Sequence, residues 1–76
     1  MNNTKRKELS KAIDLLNQAR DIVDTIMNDE QEGFYNMTEG LQQTERGQAM
    51  EEAAENLGCA IDSIDEAVSF IEDAQL

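Results

Sequence analysis

The sequence predicts an all-α protein built as an antiparallel two-helix hairpin, and three features of its 76 residues indicate this fold. Two long runs carry apolar residues at helical spacing. Between them, where both patterns falter, glycine occurs at positions 33, 40 and 47, and the chain contains no proline. A connection this short makes two long helices antiparallel neighbours.

The first predicted helix spans about residues 4–35. Two rows of apolar residues repeat every seven positions in this helix. The first row is Leu9, Leu16 and Val23, and the second row, three positions later, is Ala12, Ala19 and Ile26. Leu15 and Ile22 extend the apolar surface on one side, which makes it broader than the seam of a two-stranded coiled coil. One partner helix would therefore leave part of this surface uncovered.

The predicted connection covers about residues 36–44 and contains a short helical turn near residues 38–43. Thr44 is the expected N-cap of the second helix, which spans about residues 45–74, because a threonine side chain can accept a hydrogen bond from a free N–H group of the first turn. The two heptad rows of this helix are Met50, Leu57, Ile64, Ile71 and Ala53, Ala60, Ala67, Ala74. Small side chains let backbones approach closely, so the alanine row is expected to mark the tightest helix contact. The larger row would then face a second hairpin, which predicts a dimeric four-helix bundle.

Charged residues at the two chain ends also favour the antiparallel arrangement. The first helix begins with the basic residues Lys5, Arg6, Lys7 and Lys11. The second helix ends with the acidic residues Glu72 and Asp73. Each group lies at the end of its helix that the macrodipole disfavours. We therefore expect the hairpin to bring the two groups together.

Composition narrows the function classes. A single domain of this length, residues 1–76, has a thin core that association commonly supports. The net charge of −11 disfavours direct binding to nucleic acid or to an anionic membrane, since neutralising phosphates requires clustered Lys and Arg. Cys59 is the only cysteine and histidine is absent, so neither an internal disulfide nor a transition-metal site is expected. Because neither a secretory signal nor a membrane-length segment is recognisable, we expect a cytoplasmic protein.

The acidic outer surface of the second helix is the main candidate binding site. Its central residues are Glu51, Glu52, Glu55, Asp62, Asp65 and Glu66. An ordinary solvated surface would explain this pattern. The functional alternative is that the acids imitate the phosphate backbone of duplex DNA, which carries one charge per about 1.7 Å. The protein would then bind a basic protein partner, such as a nucleic-acid-binding enzyme.

The predicted turn contains two further candidates. Phe34 and Tyr35 could close the end of the hairpin core or could anchor a partner. Residues 28–39 loosely match a calcium-binding loop, with Gly33 and Glu39 correctly placed and with glutamates where shorter acids are usual. We favour the structural interpretation of this segment. No nucleophile–base pair, phosphate-binding glycine loop or Glu-x-x-His ligand pair is present, so the sequence predicts a protein without catalytic residues or cofactor.

Four segments of the chain resemble a known group of proteins. These segments are residues 29–32, 41–42, 45–53 and 60–67. In these segments, and most specifically in residues 45–51 (Glu-Arg-Gly-Gln-Ala-Met-Glu), the chain resembles the small acidic helical proteins encoded by phages and prophages of Gram-positive bacteria. Thr38 stands where proline is expected, and Gly58 and Cys59 stand where acids are usual. The resemblance implies a mobile-element origin and an inhibitor acting in a bacterial host cell. It assigns no functional residue.

Two functional hypotheses remain open at this point. An acidic module that binds a basic protein would lose binding as salt rises and when its acids are replaced. A self-assembling structural or adaptor protein would act through its apolar stripe. Its binding would tolerate salt and would fail when Ile64 or Phe34 is changed.

Overall fold

The computed structural model describes all 76 residues and consists of three helices without any strand. Helix α1 spans Asn3–Tyr35, α2 spans Glu39–Gln42 and α3 spans Glu45–Asp73. The long helices begin and end within one residue of the predicted bounds, and α2 is the predicted helical turn. The prediction of an all-helical protein in which two long helices pack against each other is confirmed.

Polar side chains cap the starts of both long helices. The Asn2 side chain accepts a hydrogen bond from the backbone N–H of Lys5 at 2.8 Å. Thr44 Oγ1 accepts one from the backbone N–H of Gly47 at 3.2 Å. Each bond satisfies a donor that the first helical turn would otherwise leave unpaired. Thr44 is therefore the N-cap that the sequence predicts.

Side-chain proximities define how α1 and α3 run against each other. The facing pairs are Gly33 with Met50, Met27 with Gly58, and Arg20 with Asp65. Residue numbers rise along one helix as they fall along the other, so the two helices are antiparallel. By this register, the last residue of α3 lies opposite about residue 11 of α1.

The predicted attraction between the charged chain ends does not form. The structure contains two ion pairs, Lys11–Glu8 within α1 and Arg20–Asp65 between the helices. Because α3 ends opposite about residue 11, the basic residues 5–7 extend past the acids at its C-terminus. The register therefore separates residues 5–7 from these acids, while Lys11, which lies nearer to them, pairs with Glu8 instead.

The core of the hairpin is one narrow seam. Its buried residues are Gly47, Ala54 and Ile61, spaced by seven in α3. The large row of Met50, Leu57, Ile64 and Ile71 lies beside them and is half-buried. The prediction that the alanine row marks the tightest contact is wrong, since Ala53, Ala60 and Ala67 are only half-buried and Ala74 is exposed. The deepest burial occurs instead in the row of Gly47, Ala54 and Ile61.

Backbone carbonyl groups hold the turn in place. Gln42 Nε2 donates hydrogen bonds to the carbonyl oxygens of Phe34 at 3.0 Å and Met37 at 3.4 Å. A Cβ atom on Gly47 would lie 2.5 Å from the carbonyl oxygen of Leu41 and 2.6 Å from that of Gln42. Glycine is thus needed at position 47 because α2 packs directly on the backbone of α3.

The molecule is a rod, with Cα extents of 58 × 15 × 13 Å. Its radius of gyration is 17.2 Å, whereas a compact domain of this length would have about 11 Å. No helix offers a segment of the length and apolarity needed to cross a membrane. Because the rod is only two helices thick, most side chains lie on its surface and few are buried.

Candidate functional site

Four predicted site residues of α3 form a single stripe. Glu51, Glu55, Asp62 and Glu66 follow one another at intervals of four, seven and four residues, which places them on one side of a helix. At 1.5 Å per residue the stripe is about 22 Å long. We call these four residues the acidic stripe. Glu51 is half-buried, and the other three are exposed.

Helix α1 contributes polar residues to the same side of the hairpin. A cleft of about 360 Å³ near the turn is lined by Gln31 and Tyr35 of α1 together with Glu51 and Glu55 of α3. Farther from the turn, Asp24 of α1 shares a shallow surface groove with Glu55 and Asp62. These groups extend the negative surface across the seam, so that it is broader than one helix.

Asp65 is engaged in the contact between the helices. Arg20 donates hydrogen bonds to its carboxylate from Nε at 2.7 Å and from Nη2 at 3.3 Å. The hydrogen bond from Arg20 lowers the pKa of Asp65, and the same bond raises the pKa of the Arg20 guanidinium. Asp65 therefore belongs to an ion pair that links α1 and α3.

Glu52 lies at the outward edge of the acidic stripe. It follows Glu51 by one residue, a rotation of about 100° around the helix, and it is exposed on the side of α3 that points away from α1. Of the six acids that the sequence predicts as site residues, four thus form the stripe, Asp65 pairs with Arg20, and Glu52 lies at the outward edge of the stripe on the side that Glu66 also occupies.

The two aromatic candidates occupy different environments. Their rings meet edge to face, with centroids 5.8 Å apart and planes at 66°. Phe34 is half-buried beside the seam, whereas Tyr35 is 72% exposed. Phe34 therefore closes the end of the core, and Tyr35 presents an accessible ring next to the acidic stripe.

The calcium-loop hypothesis is wrong. Helix α1 continues to Tyr35, so Asn28, Glu30 and Glu32 lie on a regular helix and project in different directions. A calcium loop requires these side chains to converge on one point. Nowhere does the structure gather three or more His, Cys, Asp or Glu side chains in an arrangement that could hold a metal ion.

The opposite side of the hairpin is apolar. In α1, Leu15 is 65% exposed and Ile22 is 63% exposed, and Ile26 is exposed beside them. In α3, the half-buried alanines flank the seam. Relative to the seam, the alanines of α3 and Ala19 and Ile26 of α1 lie at about 80–90°, and Leu15 and Ile22 lie at about 120°. All are displaced in the same rotational sense, which in antiparallel helices places them on the same side. We call this set the apolar face: Leu15, Ala19, Ile22, Ile26, Ala53, Ala60 and Ala67.

Sequence reasoning missed three residues of α1. Arg20 stands four residues after Leu16, at a position of the seam, and this placement could have revealed it as the partner of an acid in α3. Asp24 and Gln31 were missed because only the register shows which side chains of α1 border the acidic stripe.

Comparisons with protein-family models, with characterised proteins and with solved structures found no match to this chain. The two long sides of the hairpin are therefore the features that bear on function.

Proposed function

We propose that this chain is a non-enzymatic binding protein whose acidic stripe binds the basic surface of a nucleic-acid-binding or defence protein. The observation that carries the proposal is that acids of both helices border one long side of the hairpin, where Asp24 of α1 shares a surface groove with Glu55 and Asp62 of α3.

The density of charge supports imitation of DNA. A net charge of −11 over 58 Å amounts to one charge per about 5 Å, against about 1.7 Å for duplex DNA. Two hairpins side by side would carry one charge per about 2.6 Å over the same length. We therefore propose that the acting unit is a dimeric four-helix bundle that occupies a basic groove in place of nucleic acid.

A non-enzymatic role is supported by the exposure of the polar groups. No polar or charged side chain is buried, and the one cysteine is exposed. Catalytic acids and nucleophiles commonly depend on burial and on specific neighbours for their reactivity. An origin in a phage or other mobile element, in which the protein would inhibit a host factor, rests on the sequence resemblance alone.

The proposal is tested with two variants that have the same net charge. The first replaces the exposed stripe residues, Glu55→Lys, Asp62→Lys and Glu66→Lys. The control replaces three exposed acids on the side of α1 that is turned away from the acidic stripe, Glu8→Lys, Asp29→Lys and Glu32→Lys. Each protein is immobilised and exposed to a bacterial lysate at low and at high salt, and captured proteins are then challenged with duplex DNA.

We expect the wild type and the control to retain a nucleic-acid-binding protein that both salt and duplex DNA release, while the stripe variant retains none. Screening weakens contacts between exposed charges, which explains the salt effect. If the control variant loses the partner as fully as the stripe variant, only net charge matters and the stripe is not a site. Retention by all three proteins at high salt would also contradict the proposal.

A second candidate function is a self-assembling structural or adaptor protein. The specific observation in its favour is the apolar face, with Leu15 and Ile22 largely exposed. Partners captured through this face would persist at high salt and would be lost on replacing Leu15 or Ile22, with the acidic stripe intact.

A further inference from the structure

The apolar face lacks a covering element within the hairpin, and we propose that a second copy of this chain covers it. The two copies would pair face to face about a two-fold axis and form the four-helix bundle. This assignment names the contact surface of the dimer that is proposed above as the acting unit, and it would hold whichever partner the acidic stripe binds.

Surface area gives the first argument for a second copy. The hairpin exposes 5607 Å², whereas a folded monomer of 8.5 kDa typically exposes about 4,700 Å². The excess of about 900 Å² is close to the roughly 800 Å² that each partner contributes to a standard protein interface. One contact along a single long side of the rod would remove this excess.

The composition of the apolar face suits pairing with itself. A two-fold contact brings the same patch of both subunits together, so that patch must be self-complementary. Helix α1 supplies a row of large side chains that includes Leu15 and Ile22, and α3 supplies the parallel row of Ala53, Ala60 and Ala67. In the dimer, the large row of each copy would lie over the alanine row of the other.

Charge distribution gives the third argument. Each copy carries a net charge of −11, so two copies repel each other unless they meet where acids are absent. The seven residues of the apolar face are uncharged, with Glu8 and Asp29 only at the two ends of the row of Leu15 and Ile22, and the acidic stripe lies on the opposite side of the hairpin. Pairing through the apolar face would place the two stripes on opposite outer sides of the bundle, as far apart as the bundle allows.

The test measures mass by sedimentation equilibrium over a concentration series. Leu15→Lys with Ile22→Lys alters the apolar face. The matched control is Ser10→Lys with Asn17→Lys. These two exposed polar residues also lie seven positions apart in α1. Far-UV circular dichroism at each concentration reports whether the hairpin remains helical.

We expect the wild type and the control to have twice the mass of the 8.5 kDa chain. The apolar-face variant should remain helical, with a dimer dissociation constant raised by roughly a hundredfold or more. Added salt should strengthen the wild-type dimer because it screens repulsion between the copies, the opposite of its effect on a basic partner.

A wild type that stays monomeric at every concentration overturns the proposal, as does an apolar-face variant that dimerises as tightly as the wild type. Equal weakening by the control variant also overturns it. If the lysine variant unfolds, Leu15→Ala with Ile22→Ala keeps the helix and should still weaken the dimer. The wild-type Tm provides a check without mutation, since it must rise with protein concentration if folding and pairing are linked.

Discussion

At the closed end of the hairpin, α1, α2 and α3 meet through backbone groups, with Gln42 bonded to two carbonyl oxygens and Gly47 packed against two more. Toward the open end the helices meet only through side chains, and Arg20–Asp65 is the one hydrogen-bonded link between them. Buried residues occur from Gly47 to Ile61 and not beyond. Backbone contacts tolerate little change of shape. The closed end therefore specifies the hairpin, while the open end depends on half-buried side chains.

The largest expected effect comes from a pair of substitutions that compare buried and half-buried positions along the seam. Ile61→Ala removes a side chain that is 6% exposed and should lower the free energy of unfolding by about 2–5 kcal/mol. Ile71→Ala alters a half-buried position near the open end and should cost about 1–2 kcal/mol. Urea unfolding of both variants at one protein concentration measures the difference. An equal or larger loss for Ile71→Ala would refute the contrast between the two ends.

The second effect tests the fit at the closed end. Gly47→Ala places a methyl group 2.5 Å from the carbonyl oxygen of Leu41 and should destabilise by about 1–2 kcal/mol, even though alanine favours helix. Gly40→Ala is the matched control, because no atom lies within 4 Å of the added group, and it should stabilise by about 0.4–1 kcal/mol. Thermal unfolding should show a shift of opposite sign for the two variants. Stabilisation by Gly47→Ala would mean that α2 does not pack on α3 as described.

The smallest effect concerns the one ion pair between the helices. Because Arg20 lowers the pKa of Asp65 in the folded state, the pair stabilises the fold above the unfolded pKa of about 3.9. This contribution disappears as the pH falls through the lower, folded-state pKa. Asp65→Asn should therefore lower the Tm at pH 7, and its Tm should approach that of the wild type at about pH 2.

Asp62→Asn is the control for this pH experiment, because Asp62 is exposed and makes no ion pair. It should not lower the Tm at pH 7. If Asp65→Asn leaves the Tm at pH 7 unchanged, the ion pair does not stabilise the open end.

Much of the fold could be predicted because the signals are local. The start of α3 follows from the threonine at position 44, whose side chain bonds to the next turn. The tightest contact could not be predicted, because Ala54 and Ala60 are equally small and only the register shows which of them faces α1. For the same reason, the sequence predicts Asp65 as a residue of the acidic binding surface, because it does not show that Asp65 lies opposite Arg20 and forms an ion pair with it.

The sequence by itself determined the helical character of this protein, the approximate ends of its helices and its strongly acidic surface. These properties depend on residue spacing, capping and composition, which act within a few residues of the chain. Only the tertiary structure decided that Gly47, Ala54 and Ile61 form the buried row and that Glu55 and Asp62 of α3 lie beside Asp24. These contacts join residues that are far apart in the chain. They depend on how one helix is rotated and shifted along the other, and the same heptad periodicity is compatible with several such arrangements.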